Sequence, residues 1–214
     1  MNIEQAKTVV LAKVGKVVQS LCLHPNELEV YVDAERIGLE HSLRVRIRTH
    51  RGDAGRVIGE KGATFNALRA AVERMSRSLD VPVTLARIME PVIGERDSFE
   101  FKPNCRWPDG WHELLATLQV LESMLFFDSR GIVLKDARGP FKAKDDELVT
   151  HATFKVRFER GRSFKLATDA LVVLADVIGR DFGRVVLASV ETIPGDEEDG
   201  AQPMTAAGRN AAVK

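Results

Sequence analysis

Cysteine is scarce in this chain: Cys22 and Cys105 are the only two among 214 residues. Two thiols so far apart are too few for a disulfide framework or a Cys-based zinc site, and a reducing compartment is the simplest setting. Net charge is missing too, because 31 basic side chains face 31 acidic ones. That excludes a protein that coats nucleic acid or anionic membrane by bulk charge; any such binding must come from a local patch. No apolar run approaches the roughly 18 residues of a membrane span, so no membrane partner is expected. Met1-Asn2-Ile3-Glu4-Gln5 shows no basic region followed by an apolar stretch, so no secretory signal is visible and a cytoplasmic location is expected. A Walker A loop, a dinucleotide fingerprint, a nucleophile elbow and a zinc-protease motif are all lacking. The expectation is a non-catalytic protein with no cofactor and no metal.

What is present is an ordinary globular balance, 44% apolar and 29% charged. Residues 1–92 hold 14 basic and 11 acidic side chains, and residues 93–214 hold 17 and 20. Pro91, Gly94, Pro103, Pro108 and Gly110 cluster between the halves, a composition that breaks regular structure. After Glu191 the chain is rich in Gly, Pro, Ala and acid, including Asp196-Glu197-Glu198-Asp199, with little to bury. The expected organisation is a first domain over 1–92, a linker over 93–108, a second domain over 109–192 and a disordered acidic tail over 193–214.

In the first unit Asn2 can cap a helix, with Gln5 three positions on. Val10, Val14, Val17, Val18 and Leu21 then share one face, and His24-Pro25-Asn26 ends the helix. Leu28, Val30 and Val32 alternate with polar residues as a half-buried strand. A second strand points Leu43, Val45, Ile47 and Thr49 one way and Arg44, Arg46 and Arg48 the other. After a short helical stretch and a glycine-bearing loop, Phe65, Leu68, Val72, Met75 and Leu79 fall on one helical face, and Val81, Val83 and Leu85 form a third strand.

The loop Gly59-Glu60-Lys61-Gly62 carries the chemistry. Glycine on each side permits backbone angles closed to other residues and removes the Cβ atoms that would hold a ligand away. The next helix opens at Gly62, so its first N–H groups and the positive end of its dipole face whatever enters. A nucleic-acid backbone is a natural occupant, and Lys61 adds a mobile positive charge. For these four residues alone, a plain helix–loop–helix turn with glycine caps is the competing explanation. Gly55-Arg56-Val57-Ile58-Gly59-Glu60-Lys61-Gly62, after an Arg-rich strand and before an apolar helix, resembles the KH domain, and the element order is similar to the type II, prokaryotic arrangement. The resemblance covers roughly residues 1–90.

The resemblance implies a non-catalytic protein that clamps single-stranded RNA, an mRNA among the candidates. In that family the G-x-x-G loop holds the sugar-phosphate backbone of about four nucleotides, whose bases lie in an apolar groove. The clamp is then Gly59, Glu60, Lys61 and Gly62, with Gly55, Arg56 and Ile58 on the preceding helix and groove floor. The middle positions of the motif are often basic; here the first is Glu60, which lowers the local field but leaves backbone donors untouched. Nothing identifies a 2′-OH contact, so single-stranded DNA stays an alternative ligand. Among the other arginines, Arg44 and Arg46 read as a solvated sheet face. Arg48 and Arg51, nearer the loop along the chain, are candidate phosphate contacts, and so is Arg69 on the following helix, whereas Arg74 and Arg77 read as solvent charges.

The second unit repeats the order of elements. A helix from Asp109-Gly110 carries Leu114, Leu118, Leu121, Met124 and Leu125 and is expected to close at Ser129-Arg130-Gly131. Ile132-Val133-Leu134 is a strand, Ala152, Phe154, Val156 and Phe158 alternate in another, Phe164 to Ile178 is a helix, and Val185–Ala188 is a last strand. The helix spacing repeats that of Phe65 to Leu79 at an offset of 99, and the strand spacing that of Val45 at about 109; the difference of about 10 residues is close to the length of Arg51–Gly62. Two readings stand open: a degenerate αββαβ KH-like domain lacking the G-x-x-G loop, or an unrelated α/β unit of common element order. The fold class expected is thus α/β of the α+β kind. A scaffold or adaptor, binding a protein partner through the second domain or the tail, is the competing function. Phe99, Phe101, Trp107 and Trp111 read as a seal between domains rather than base-stacking residues, His112-Glu113 point about 100° apart and form no dyad, and Cys22 with His24 lacks a second ligand pair.

Overall fold

In a computed structural model of the chain, residues 2–37, 40–89, 110–136, 148–157 and 162–193 are described. The chain is mixed α/β, with five helices and two three-stranded sheets among these residues. The order is α1 (Ile3–Gln19), β1 (Glu29–Ile37), β2 (Glu40–Arg48), α2 (Arg51–Ile58), α3 (Ala63–Leu79), β3 (Val83–Met89), α4 (Gly110–Leu125), β4 (Ser129–Asp136), β5 (Leu148–Arg157), α5 (Arg162–Asp181) and β6 (Arg184–Ile193), with 3-10 turns at Pro25–Glu27 and Glu60–Gly62. The linker and almost all of the acidic tail lie outside the described residues, as do Phe99, Phe101, Cys105, Trp107, Asp109 and Phe158.

The caps and periodicities explain the elements. The Asn2 side chain accepts from the Glu4 N–H and Gln5 reaches back to the Asn2 N–H, closing a capping box on α1. Val10, Val14, Val17 and Val18 form its buried stripe. Leu43, Val45, Ile47 and Thr49 point into the core, and Arg44, Arg46 and Arg48 point outward. On α3 the apolar spacing buries Leu68, Val72, Met75 and Leu79, and on α5 Ala167, Leu171, Leu174 and Ile178. Each buried Val or Leu contributes roughly 1.5–3 kcal/mol.

The two sheets share one plan. β1 and β2 are antiparallel, β2 and β3 parallel; β4 and β5 are antiparallel, β5 and β6 parallel. A parallel neighbour requires a crossover, and α3 and α5 supply it on one face of each sheet. What differs is the approach to that crossover. Residues 49–62, holding α2 and the glycine loop, separate β2 from α3, whereas only residues 158–161 separate β5 from α5.

The helices meet in the middle: α3 packs on α5, and α4 packs on α1 and α3, in a single hydrophobic core. Polar ties cross the same junction. Arg74 donates to the Leu125 carbonyl and to Ser163 Oγ at 2.5 Å, Lys13 Nζ donates to the Ser123 carbonyl at 3.2 Å, and Lys16 pairs with Glu113. Arg74, expected to be a solvent charge, is therefore an inter-unit strut. Trp111 lies under the Arg184 guanidinium, 4.9 Å from ring centroid to Cζ.

Several boundaries differ from expectation: Leu28, Thr49 and Val81, read as strand residues, lie just outside β1, β2 and β3. The first helix stops at Gln19, and His24 leads into the 3-10 turn rather than ending the helix. Ser129-Arg130-Gly131 does not close α4, which ends at Leu125; it begins β4. Gly131 holds φ 109°, where the β4–β5 register shifts between Ser129 and Ile132, so its glycine marks a bulge and not a helix cap.

Candidate nucleic-acid interface

α2 is only eight residues long, so its position depends on how its ends are fixed. His50 Nδ1 caps it by accepting the Gly52 N–H at 3.1 Å. Asp53, fully buried, accepts the Leu23 N–H at 2.8 Å on Oδ1 and the His24 N–H at 2.9 Å on Oδ2. That clips the start of α2 to the connection between α1 and β1. At the far end Val57 is buried and the exposed Ile58 leads into the loop.

The loop is a sequence of unusual backbone angles. Gly59 has φ 73° and ψ 174°, Lys61 φ 51° and ψ 24°, and Gly62 φ 80° and ψ 13°. Among the described residues only Lys61 and Asp80 are non-glycine residues at positive φ. Asp80 ends α3, where the left-handed region is a common way to stop a helix. Lys61 is the third residue of the turn that the Gly62 N–H closes on the Gly59 carbonyl, a position of positive φ that glycine normally fills, and an L-residue held there costs of order 1–3 kcal/mol. Gly59 is glycine for a second reason: a Cβ would sit 2.8 Å from both N and Cβ of buried Thr64 and closer still to its Oγ1.

The loop's donors are partly spent. The Gly59 N–H goes to the Gly55 carbonyl at 2.8 Å, and the Gly62 N–H to the Gly59 carbonyl at 3.1 Å. Between them stand Glu60 and Lys61. Both side chains are exposed. The tip therefore offers a bare Cα on each side and one exposed ammonium group, an arrangement that suits an anion.

The arginines divide into two sets. On the outer face of the first sheet, Arg44 pairs with Glu35 at 3.0 Å, Arg46 with Asp33 at 2.8 Å and Arg48 with Glu29 at 3.1 Å. Register explains the ladder, since β1 presents Glu29, Asp33 and Glu35 beside these arginines. Arg56 is engaged as well, donating to the Leu21 carbonyl at 3.1 Å and pairing with Asp181 at the end of α5. Arg51, Lys61 and Arg69 are exposed and form no ion pair among the described residues. Arg51 opens α2, where a cation opposes the helix dipole, so its placement does not serve helix stability. Of the sequence-derived candidates, Gly55, Ile58, Glu60, Lys61, Arg51 and Arg69 are exposed, while Arg48 and Arg56 are already committed to carboxylates.

One constellation was missed in the sequence. Ligating atoms of His24, His50 and Asp53 lie within 4.8 Å of one another. Asp53 already accepts two backbone N–H groups, and the His24 Nδ1 stands 3.3 Å from its Oδ2. Because His50 Nδ1 accepts the Gly52 N–H, the proton of the neutral ring is on Nε2, leaving no lone pair there for a metal. The trio is a clip that orients α2. Its one sequence signal is an acid three positions after a His at a helix start.

Cys22 is buried, and its thiol is pushed up to about 12 by burial and then by the charges of Asp53 and Asp181; it is no nucleophile at neutral pH. Among the described residues, no helix is long and apolar enough to cross a membrane. No protein-family model matches this sequence, and no curated protein is similar to it.

Proposed function

We propose that this chain is a non-catalytic, cytoplasmic protein that clamps single-stranded RNA at Gly59–Gly62, with a type II KH-like first unit and a second unit that is the same αββαβ plan without the clamp. The observation that carries the reading is Lys61, exposed and held in a left-handed conformation between two positive-φ glycines. A non-glycine residue strained into such a turn, where glycine would carry no strain, is of the kind that clusters at ligand clamps. Support for the KH-like plan is the order of the first sheet, with β2 antiparallel to β1 and parallel to β3, and the entry of α2 and the loop before α3. The common order and sense of the second sheet favour a degenerate repeat over an unrelated unit.

The mechanism is backbone clamping. Phosphate oxygens accept from the Glu60 and Lys61 amides, Lys61 neutralises charge, and Arg51 and Arg69 extend the contact. Arg48 and Arg56 join only by leaving Glu29 and Asp181. The test is fluorescence anisotropy with a short single-stranded RNA. The double variant Glu60→Asp/Lys61→Asp keeps the fold and loses binding; full binding by a folded double variant refutes the clamp.

A protein adaptor is the second reading. What favours it is that Arg44, Arg46, Arg48 and Arg56 are each neutralised by a carboxylate of the same chain. Under that reading, partner binding survives the double variant.

A further inference from the structure

Beside the loop lies an open groove of about 630 Å³. One wall is the clamp side, with Gly59, Glu60, Ala63 and Thr64; the other belongs to α5 and β6 of the second unit. We infer that this second wall is the surface on which the bases of the clamped strand lie, with Val172 of α5 and Leu187 of β6 as the principal contacts. The inference rests on the clamp reading above and adds a role for the unit that has no clamp.

Three observations carry it. First, Val172 and Leu187 line the groove and are 44% and 48% exposed, so apolar surface stands open beside the glycine loop. Second, the charges this wall brings to the groove, Arg180 and Asp176, pair with each other at 2.8 Å. A wall that is apolar and internally neutralised suits planar bases and not a second run of phosphates. Third, three consecutive residues of β6, Val186, Leu187 and Ala188, line the groove, although their side chains alternate between sheet faces. The groove therefore runs along the edge of β6, which is the outer strand of its sheet among the described strands. Backbone N–H and C=O groups of an edge strand can pair with the polar edges of bases. Such an edge also accepts an extended peptide; the glycine loop on the opposite wall, read above as a phosphate clamp, favours a nucleic acid. Ile58, 42% exposed on the first unit, lies outside this groove, so two possible base tracks can be told apart.

The test measures binding of two probes to the full chain: a short mixed-sequence single-stranded RNA and an abasic ribose-phosphate oligomer of equal length. The parent binds the RNA at least about tenfold more tightly than the abasic oligomer, the scale of stacking one base. Val172→Ser/Leu187→Ser, two exposed changes with the fold checked by circular dichroism, removes that margin and leaves abasic binding unchanged. The clamp variant Glu60→Asp/Lys61→Asp loses both probes. Equal affinity of the parent for the two probes overturns the inference, and so does an unchanged margin in the serine variant when Ile58→Ser abolishes it. Undiminished binding of both probes by the clamp variant instead refutes the clamp itself, whatever the serine variant does.

Discussion

Replacing each glycine around the loop by alanine gives three separate outcomes from three local geometries. Gly59 sits at φ 73° and ψ 174°, a region essentially reserved for glycine, which costs an L-residue of order 1–3 kcal/mol. Its Cβ would also come within 2.8 Å of Thr64 N and Cβ. Thr64 is 3% exposed on the first turn of α3 and has no room to give, and overpacking of this kind adds about 1–3 kcal/mol. Gly59→Ala should therefore destabilise by about 2–6 kcal/mol. Gly62 sits at φ 80°, but its Cβ would meet nothing nearer than Asn66 Nδ2 at 3.7 Å, so Gly62→Ala carries only the conformational cost, about 1–2 kcal/mol. Gly55, inside α2 with nothing within 4 Å of an added Cβ, should gain about 0.5–1 kcal/mol as alanine. Urea unfolding followed by circular dichroism orders the three. Equal losses for Gly59→Ala and Gly62→Ala would refute the account of how Thr64 closes on the loop.

Other expectations rest on separate features. Asp53→Ala strands the Leu23 and His24 N–H groups and should cost about 2–4 kcal/mol, with Asp53→Asn losing less; urea midpoints compare them. Glu122 is 4% exposed and its Oε1 has no partner, so burial raises its carboxyl from 4.5 to about 7. Between those values the folded state keeps a proton the unfolded state has lost, so stability falls as pH rises from about 4.5 to about 7 and is flat above. Glu122→Gln should remove that fall, raising stability at pH 8 by up to about 3 kcal/mol and leaving it unchanged near pH 4. For a clamp on about four phosphates of a single strand, log K against log salt should have a slope near −3, and a slope near −8 would indicate a wide basic surface instead.

Periodicity made most of the fold legible. The stripes of α1, α3 and α5 and the alternation of β2 name the buried face directly, because a helix and a strand each bury a fixed set of positions. Boundaries were harder. Ser129-Arg130-Gly131 has the composition of a helix stop, and only strand pairing reveals that the glycine serves a bulge. The glycine loop was legible because its chemistry is local. The commitments of Arg48 and Arg56 were not, since Glu29 and Asp181 reach them only through strand register and inter-unit packing. The clip at Asp53 and the second wall of the groove were hidden for the same reason: residues distant in sequence come together only when α2 docks and α5 packs on α3.

The most direct test of the clamp is a ¹⁵N-edited NMR titration of the full chain with a short single-stranded RNA. The amide resonances of Glu60 and Lys61 should shift most, with Gly59, Gly62 and Arg69 following. Saturable RNA binding that leaves the Glu60 and Lys61 amides unmoved, or no binding at low salt, would contradict the account.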